Sequence, residues 1–220
     1  HPTLTTKRAI FFILIFVLSY SQNSYGFSKK DKDKKEKPRR EKKLKEFKPS
    51  VDENTKITEY NFHQKIYLLK APIELVWKKY SSMVPNQTWK GPLAKYKQSY
   101  SKENNIFHYR SKGENNPNLE LESIYFLKLK IFKFLKIGVT FQVTKIDSTN
   151  KFIELTYGQD NASHGRQRIY FLEDDNNTII LHISNFKSNN KFRDNHLYPK
   201  FHEKYIDEFH KNIKQNLILN

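Results

Sequence analysis

The stretch that decides the fold is Lys65–Tyr80, KIYLLKAPIELVWKKY. A short apolar run, Ile66–Leu69, passes through Ala71-Pro72 into a helical pattern. Pro72 suits a first helical position, because the N–H that proline lacks has no partner there. Apolar residues then recur at spacings of three and four, which predicts an amphipathic helix: Ile73, Val76, Trp77 and Tyr80. A strand that leads directly into a helix therefore opens the domain.

The chain on either side of this helix alternates between apolar and polar residues, which predicts strands. The first strand is 62–69, and the predicted segments that follow are 93–100, 106–110, 119–127, 137–146, 153–157, 168–171 and 179–183. The run 126–135 is so continuously apolar that it leaves the register of its strand open. Short connections between the last strands favour antiparallel hairpins.

The C-terminal segment predicts a long helix. Its apolar residues recur every four positions: Leu197, Phe201, Tyr205, Phe209, Ile213 and Leu217. A spacing of four drifts around a helix of 3.6 residues per turn, so the apolar stripe is broad and slanted. Such a stripe suits a helix that lies diagonally across a curved sheet.

This order of elements resembles the START-like, or Bet v 1-like, helix-grip superfamily (SRPBCC). The resemblance covers about residues 58–218 and rests on APIELVW at 71–77, FQVTKID at 141–147, GRQR at 165–168 and the terminal helix. Residues 157–158 and 163–171 are also similar to an uncharacterised branch with a Tyr-Gly…Gly-His…Gly-Glu-Glu-Arg-Phe signature. This chain lacks that branch's first Gly-His pair and both Glu residues, so no role of those acids is carried over.

The resemblance implies an α+β fold in which a curved antiparallel sheet wraps around the long C-terminal α-helix and leaves an apolar cavity between them. Members of the superfamily bind lipids, sterols, polyketides and hormones, and a minority catalyse cyclisation or hydrolysis. A shared fold does not by itself decide among these functions.

The first 55 residues predict a targeting signal followed by a linker. Lys7-Arg8, the uncharged run 9–20 and the small residues of Ser24-Tyr25-Gly26 have the order of a secretory signal peptide over 1–26. Export to a periplasm, a cell envelope or the medium is the corresponding localisation. The segment 28–50 holds twelve Lys/Arg against five Asp/Glu, and this composition predicts a disordered basic linker over 27–55. The folded domain is then 56–220.

Of the formal net charge of +17, residues 28–50 contribute +7. The linker is either a solvated spacer or an electrostatic tether to anionic lipid headgroups. Export argues against nucleic acid as a partner. The chain contains no Cys, which excludes disulfides and thiolate chemistry.

The candidate ligand-binding residues are aromatic and polar side chains that the predicted faces turn inward or place at the cavity mouth. They are Tyr109, Phe141, Tyr157, His164, Arg166, Phe201, Tyr205 and Phe209. Buried tyrosines can orient a polar group of a ligand, and loops at a cavity mouth collect functional groups. An ordinary aromatic core explains the same residues without a ligand.

No catalytic or cofactor motif is present. The sequence has no G-x-S-x-G elbow, no phosphate-binding glycine loop and no H-E-x-x-H pattern. Glu203, Asp207 and His210 share one helix face and could in principle hold a cation, but the solvated polar face of an amphipathic helix accounts for them equally well. We therefore predict no cofactor and no metal.

Three functions remain open from the sequence. The favoured one is an exported START-like protein that binds a hydrophobic small molecule or lipid between sheet and helix. The second is an enzyme on the same scaffold that uses Tyr157, His164 or Arg166 to polarise a carbonyl, although no matched acid–base pair is visible. The third is a non-catalytic envelope interaction protein whose cavity is filled by its own side chains.

Overall fold

The computed structural model describes residues 29–110, 116–133 and 135–218. The chain divides into two units, 1–39 and 40–220. The predicted signal peptide lies outside the described residues. Within the described residues, no helix is both long and apolar enough to cross a membrane.

The second unit is built on one eight-stranded sheet in which every neighbouring pair is antiparallel. The strand order is β1-β8-β7-β6-β5-β4-β2-β3. The strands are β1 (Asn61–Leu69), β2 (Ala94–Ser101), β3 (Ile106–Tyr109), β4 (Ile124–Lys130), β5 (Lys136–Asp147), β6 (Phe152–Tyr157), β7 (His164–Asp174) and β8 (Asn177–Lys187). Register shifts at Tyr96/Gln98 and Val143/Lys145 are bulges of the kind that bend a sheet.

The described residues contain four α-helices. They are α1 (Lys29–Lys45), α2 (Ile73–Ser81), α3 (Pro85–Thr88) and α4 (Tyr198–Ile218). A 3-10 turn, Ile57–Glu59, precedes β1, and a π-helical turn, Arg193–Leu197, leads into α4. Pro72 is the residue that caps α2, one position before the helix begins. This strand, helix pair, antiparallel sheet and long terminal helix confirm the predicted helix-grip architecture.

The concave face of the sheet packs on α2, α3 and α4 around the main hydrophobic core. Alternation along each strand decides which side chains reach this face. In β6 the inward residues are Ile153, Leu155 and Tyr157, as predicted, and in β7 they include Ile169 and Phe171. In β8 the inward residues are Thr178, Ile180, His182, Ser184 and Phe186, which are all buried.

The convex face is partly covered by Arg40–Ser50, which we call the strap. Leu44 of the strap is fully buried against Ile124 and Phe126 of β4. The Arg40 Nε donates to Gln98 Oε1 at 2.9 Å, and the Ser50 amide donates to the carbonyl of Tyr157 at 2.8 Å.

The disordered linker predicted over 27–55 therefore needs a correction. Residues 29–45 are helical, and the strap is packed. The composition argument averages over the segment and misses Leu44 and Phe47, two apolar residues that bury against a sheet face otherwise open to solvent.

The apolar run 126–135 is resolved into two parts. Strand β4 ends at Lys130, and a turn closes with mutual hydrogen bonds between the backbones of Phe132 and Leu135. Phe132 is 46% exposed and packs edge-on against Phe201 at a centroid distance of 5.5 Å. The run is therefore a strand end and a hairpin turn, and β4 begins at Ile124, later than predicted.

Candidate functional site

The space between the sheet and α4 is lined by aromatic rings. Trp89 of the α3–β2 connection lies 5.5 Å from Phe209 and 5.3 Å from Phe141 between ring centroids. Tyr80 of α2 packs edge-on against Phe171 at 4.9 Å. These rings contact one another directly, so they fill much of the interior.

A continuous chain of buried polar side chains crosses this aromatic interior. Tyr80 OH lies 2.8 Å from His210 Nδ1, and His210 Nε2 lies 2.9 Å from His182 Nδ1. The chain continues from His182 Nε2 to Gln167 Oε1 at 2.6 Å, and the Gln167 amide donates to Tyr157 OH. We call these five residues and the two that follow them the polar chain.

Two further hydroxyls complete the polar chain at its far end. Tyr157 OH lies 2.5 Å from Tyr198 OH, which lies 2.9 Å from Ser184 Oγ. Tyr198 is held in place by stacking on Phe186 at 3.6 Å, with the two rings 11° from parallel. The chain therefore links α2, α4, β8, β7 and β6 through one set of hydrogen bonds.

The hydrogen bonds of the polar chain have a defined direction. Gln167 Oε1 can only accept, so His182 donates from Nε2 and its Nδ1 accepts in the neutral ring. His210 consequently donates from Nε2 and accepts at Nδ1, where Tyr80 is the donor. The protons point from Tyr80 towards Tyr157, and both histidines are uncharged.

Burial explains why these groups are uncharged. It lowers the pKa of His182 and of His202 well below the ordinary histidine value, and it lowers the pKa of His210 to about 3. Burial also raises the pKa of Tyr80, Tyr157 and Tyr198. At neutral pH the interior therefore offers neutral donors and acceptors but no charge.

A second pair of histidines lies next to the polar chain. His202 of α4 is 7% exposed and stacks on Tyr198 at 5.1 Å. His63 of β1 meets it edge-on at a centroid distance of 5.4 Å. Both ring nitrogens of His202 and the Nδ1 of His63 are buried and have no hydrogen-bond partner.

The charged groups near this pair compensate one another. Lys65 of β1 lies 2.6 Å from Glu203 and 2.9 Å from Asp207, between the respective nitrogen and oxygen atoms. Asp207 also accepts a hydrogen bond from Tyr67 OH at 2.8 Å. Of the three residues weighed as a cation site, Glu203 and Asp207 thus bind Lys65, whereas His210 is not solvated but is buried in the polar chain.

Four of the eight predicted site residues reach the interior. Phe141, Tyr157 and Phe209 are buried in the main core, and Tyr205 packs at its edge with its hydroxyl donating to the carbonyl of Lys130 at 3.0 Å. The hydroxyl of Tyr157 is bound within the polar chain, and its role in orienting a ligand stays a prediction.

The other four predicted site residues lie elsewhere. Tyr109 is on the convex side, where its hydroxyl donates to Glu41 of the strap at 2.5 Å. Arg166 is also on the convex side, 3.6 Å from Glu154, and the exposed His164 contacts the carbonyl of Gln159. Phe201 contacts Phe132 rather than the core.

Sequence reasoning missed most of the polar chain, in part because it did not decide which face of β8 turns inward. Ile179, Leu181 and Ile183 alternate there with Ile180 and His182, and the row that holds His182 and Ser184 is the buried one. Gln167 was recoverable, because it lies two positions before the inward-facing Ile169 on the same strand. Tyr80 was identified as a buried helix residue, but nothing in the sequence pairs it with His210.

Two concavities on the described part of the chain lie outside the aromatic interior. A cleft of about 90 Å³ lies among α2, α3 and α4, bordered by Met83, Thr88 and Ile213. A groove of about 400 Å³ lies between the strap and the β5 and β6 ends, bordered by Phe47, Thr140 and Asp160.

Comparison with solved structures defines the fold as Bet v 1/START-like. A norcoclaurine synthase point mutant from Thalictrum flavum, solved with a transition-state analogue, matches with a TM-score of 0.52 and 11% identity over 72% of this chain and 94% of its own. Ara h 8.0201 matches with a TM-score of 0.50 and 12% identity, over 73% of this chain and 99% of its own. The KanY protein matches with a TM-score of 0.50 and 12% identity, over 72% of this chain and 97% of its own. No protein-family model matches the sequence, and no curated protein matches it.

Proposed function

We propose that this protein binds a hydrophobic small molecule or lipid between the concave face of the sheet and α4. The observation that carries the proposal is the polar chain inside an aromatic interior. Ligand sites of soluble proteins have this composition, with mostly apolar walls and a few fixed polar groups. The helix-grip fold supplies the scaffold.

The polar chain is hard to explain as a device for stability alone. Each buried polar group loses its hydration, and the hydrogen bonds inside the protein return that free energy with little surplus. An apolar side chain of similar size at His182 or His210 fills the same space without this cost. A network retained at such a place fits a role in orienting a bound molecule.

Binding requires the interior to open. The cleft among α2, α3 and α4 holds about 90 Å³, which is below the 300 Å³ or so at which ligand pockets begin. The rings that fill the interior belong to both the sheet and the helices, so a ligand takes the place of contacts such as Trp89–Phe209. We therefore expect α4 and the α2–α3 segment to separate from the sheet when the ligand enters.

A second candidate function is an interaction module with a filled core. The direct ring–ring contacts of the interior favour it, because they leave the fold complete without a ligand. In this case the functional surface is on the outside, and the polar chain is structural.

We also propose that the protein is exported and that its basic segment contacts anionic lipid. Residues 1–26 support export by their signal-peptide order. Because the strap is engaged by the sheet, we assign the lipid contact to 28–39, where Lys and Arg outnumber Asp and Glu by seven to three. Sedimentation of the full chain with vesicles of phosphatidylglycerol, and its loss with vesicles of phosphatidylcholine alone, tests the contact.

Native mass spectrometry tests ligand binding. The full chain, purified from its host without detergent, is expected to carry an adduct of small-molecule mass that disappears on denaturation. Tyr157→Phe removes one hydroxyl from the polar chain and is expected to reduce the adduct. Tyr109→Phe removes one hydroxyl from the convex face and is the matched control. A bare mass for the native protein, with no binding of added hydrophobic probes, supports the filled-core module instead.

A further inference from the structure

The pair formed by His63 and His202 has hydrogen-bonding capacity that the protein does not use. His202 is more than nine-tenths buried, and neither of its ring nitrogens has a partner. The neighbouring His63 Nδ1 is also buried and unpaired. A buried imidazole without hydrogen-bond partners destabilises the fold, and most buried polar groups in folded proteins do have such a partner.

We propose that His63 and His202 form a subsite that receives the hydroxyl group of an uncharged hydrophobic ligand. The proposal rests on the ligand-binding function proposed above and names the chemistry of the molecule. The ligand's apolar body then replaces ring contacts in the interior, and its hydroxyl ends between β1 and α4.

The choice of a hydroxyl follows from the imidazole itself. A neutral imidazole has one N–H donor and one acceptor nitrogen. A hydroxyl can accept from one nitrogen and donate to another, so it satisfies both kinds of site at once. A carbonyl accepts only and leaves the acceptor nitrogens unpaired.

The choice of an uncharged ligand follows from the surrounding charges. Burial lowers the pKa of His63, His182 and His202, so these rings offer no positive charge to a carboxylate or phosphate. The cation that faces the pair from β1 is Lys65, which is bound by Glu203 and Asp207. A charged head group would lose its hydration here without a counterion.

The position of the pair also suits the end of a ligand. His63 lies on β1, which is an edge strand of the open sheet, and His202 lies in the second turn of α4. His202 stacks on Tyr198, a member of the polar chain. A hydroxyl seated at the pair is therefore next to the far end of the polar chain, while Tyr80 marks the opposite end.

The test compares 2-naphthol with 2-methylnaphthalene, which share a ring system and differ by a hydroxyl in place of a methyl. The full-length wild type is expected to bind 2-naphthol about tenfold more tightly, the upper range for one hydrogen bond. His202→Phe keeps a ring at this position and removes both nitrogens. It is expected to lose the preference while still binding 2-methylnaphthalene. His164→Phe, at an exposed position, is the matched control and keeps the preference.

The outcomes separate the two proposals. If the wild type binds neither compound, the ligand-binding function fails and this subsite fails with it. If it binds both equally, or if His202→Phe keeps the preference, the hydrophobic site stands and the histidine subsite is wrong. This second result is expected if the two histidines bind a single buried water and do not contact the ligand.

A spectroscopic measurement on the wild type keeps the test independent of the variant's folding. With ¹⁵N-labelled histidine, 2-naphthol is expected to shift the ring nitrogens of His202 and His63, and 2-methylnaphthalene is expected to shift them less. Shifts confined to His182 and His210 would place the hydroxyl on the polar chain and overturn the proposal.

Discussion

The two faces of the sheet bury polar groups by different means. On the concave face seven neutral side chains are joined in the polar chain from Tyr80 to Ser184. On the convex face the polar side chains include charged pairs, such as Arg168 Nε with Glu154 Oε2 at 2.6 Å. Arg168 is one-third exposed and keeps part of its hydration, whereas His182 has none. The deeply buried His182 is thus neutral, whereas the more exposed Arg168 keeps its charge and is paired with Glu154.

This contrast also separates structure from function. The strap closes a face that would otherwise expose Ile124 and Phe126, which is a sufficient reason for its presence. The polar chain closes nothing, because the aromatic rings beside it already exclude water. We therefore assign ligand binding to the concave face, where the polar chain adds little to stability.

The largest expected effect tests whether the convex face needs its strap. Leu44→Ala removes a fully buried side chain and is expected to lower the free energy of unfolding by about 2–4 kcal/mol, because a cavity remains against Ile124 and Phe126. Urea unfolding followed by tryptophan fluorescence measures this loss. A matched control is Leu75→Ala, at a half-exposed position of α2. Equal stabilities of the two variants would show that the strap is not part of the folded domain.

The second-largest expected effect is a loss of stability on acidification, and it arises from the buried histidines of the concave face. The unfolded chain takes up protons on its histidines as the pH falls below about 6.5, whereas His182, His202 and His210 resist protonation in the native state because they are buried. The unfolded state therefore gains protons first, and stability is lost as the pH falls from 6.5 towards 3.

We expect a loss of about 2 kcal/mol between pH 7 and pH 6, a range in which ordinary carboxylates stay ionised. Urea unfolding at a series of pH values measures it. A variant that replaces His202 by Phe is expected to show a shallower pH dependence, and His164→Phe is expected to match the wild type. Equal slopes for all three proteins would contradict the neutral-interior interpretation.

The smallest expected effect compares one hydroxyl on each face. Tyr80→Phe removes the donor to His210 Nδ1 and leaves that buried nitrogen unpaired, with an expected loss of about 1–2 kcal/mol. Tyr109→Phe removes the donor to Glu41 at a site where water can replace it, with an expected loss below about 1 kcal/mol. Thermal unfolding of the two variants gives the difference. A larger loss for Tyr109→Phe would reverse our ranking of the two faces.

The sequence predicts the architecture well, because the spacing of apolar residues and the order of the elements are enough to define it. The strand, helix entry and terminal helix around Pro72 and Phe209 follow from alternation and from three- and four-residue spacing. Those patterns say which residues share a face, but not which of two faces turns inward. In β3 and β8 both rows contain apolar residues. In β3 the wrong row was taken as inward at Tyr109, and in β8 the alternation left the inward row open.

The stripe on α4 shows a second limit. Residues spaced by four drift around the helix, so the buried set includes His202, Ile206, Phe209, His210 and Ile213, while Phe201 rotates to the edge. Long-range pairing is a third limit. The hydrogen bond between Tyr80 and His210 joins residues 130 positions apart, and no local pattern predicts it.

The anchoring of the strap has a consequence for the order of folding. Ser50 Oγ accepts a hydrogen bond from the amide of Gly165 at 2.9 Å, across 115 positions of the chain. Gly165 has a φ of 126°, and a Cβ there would lie 2.0 Å from the carbonyl oxygen of Asn185, so this docking point exists only once β7 and β8 are paired. During synthesis the strap emerges from the ribosome before its docking site is made. The first part of the domain to be translated is thus among the last to be fixed, and the N-terminal segment stays accessible to other factors until the sheet closes.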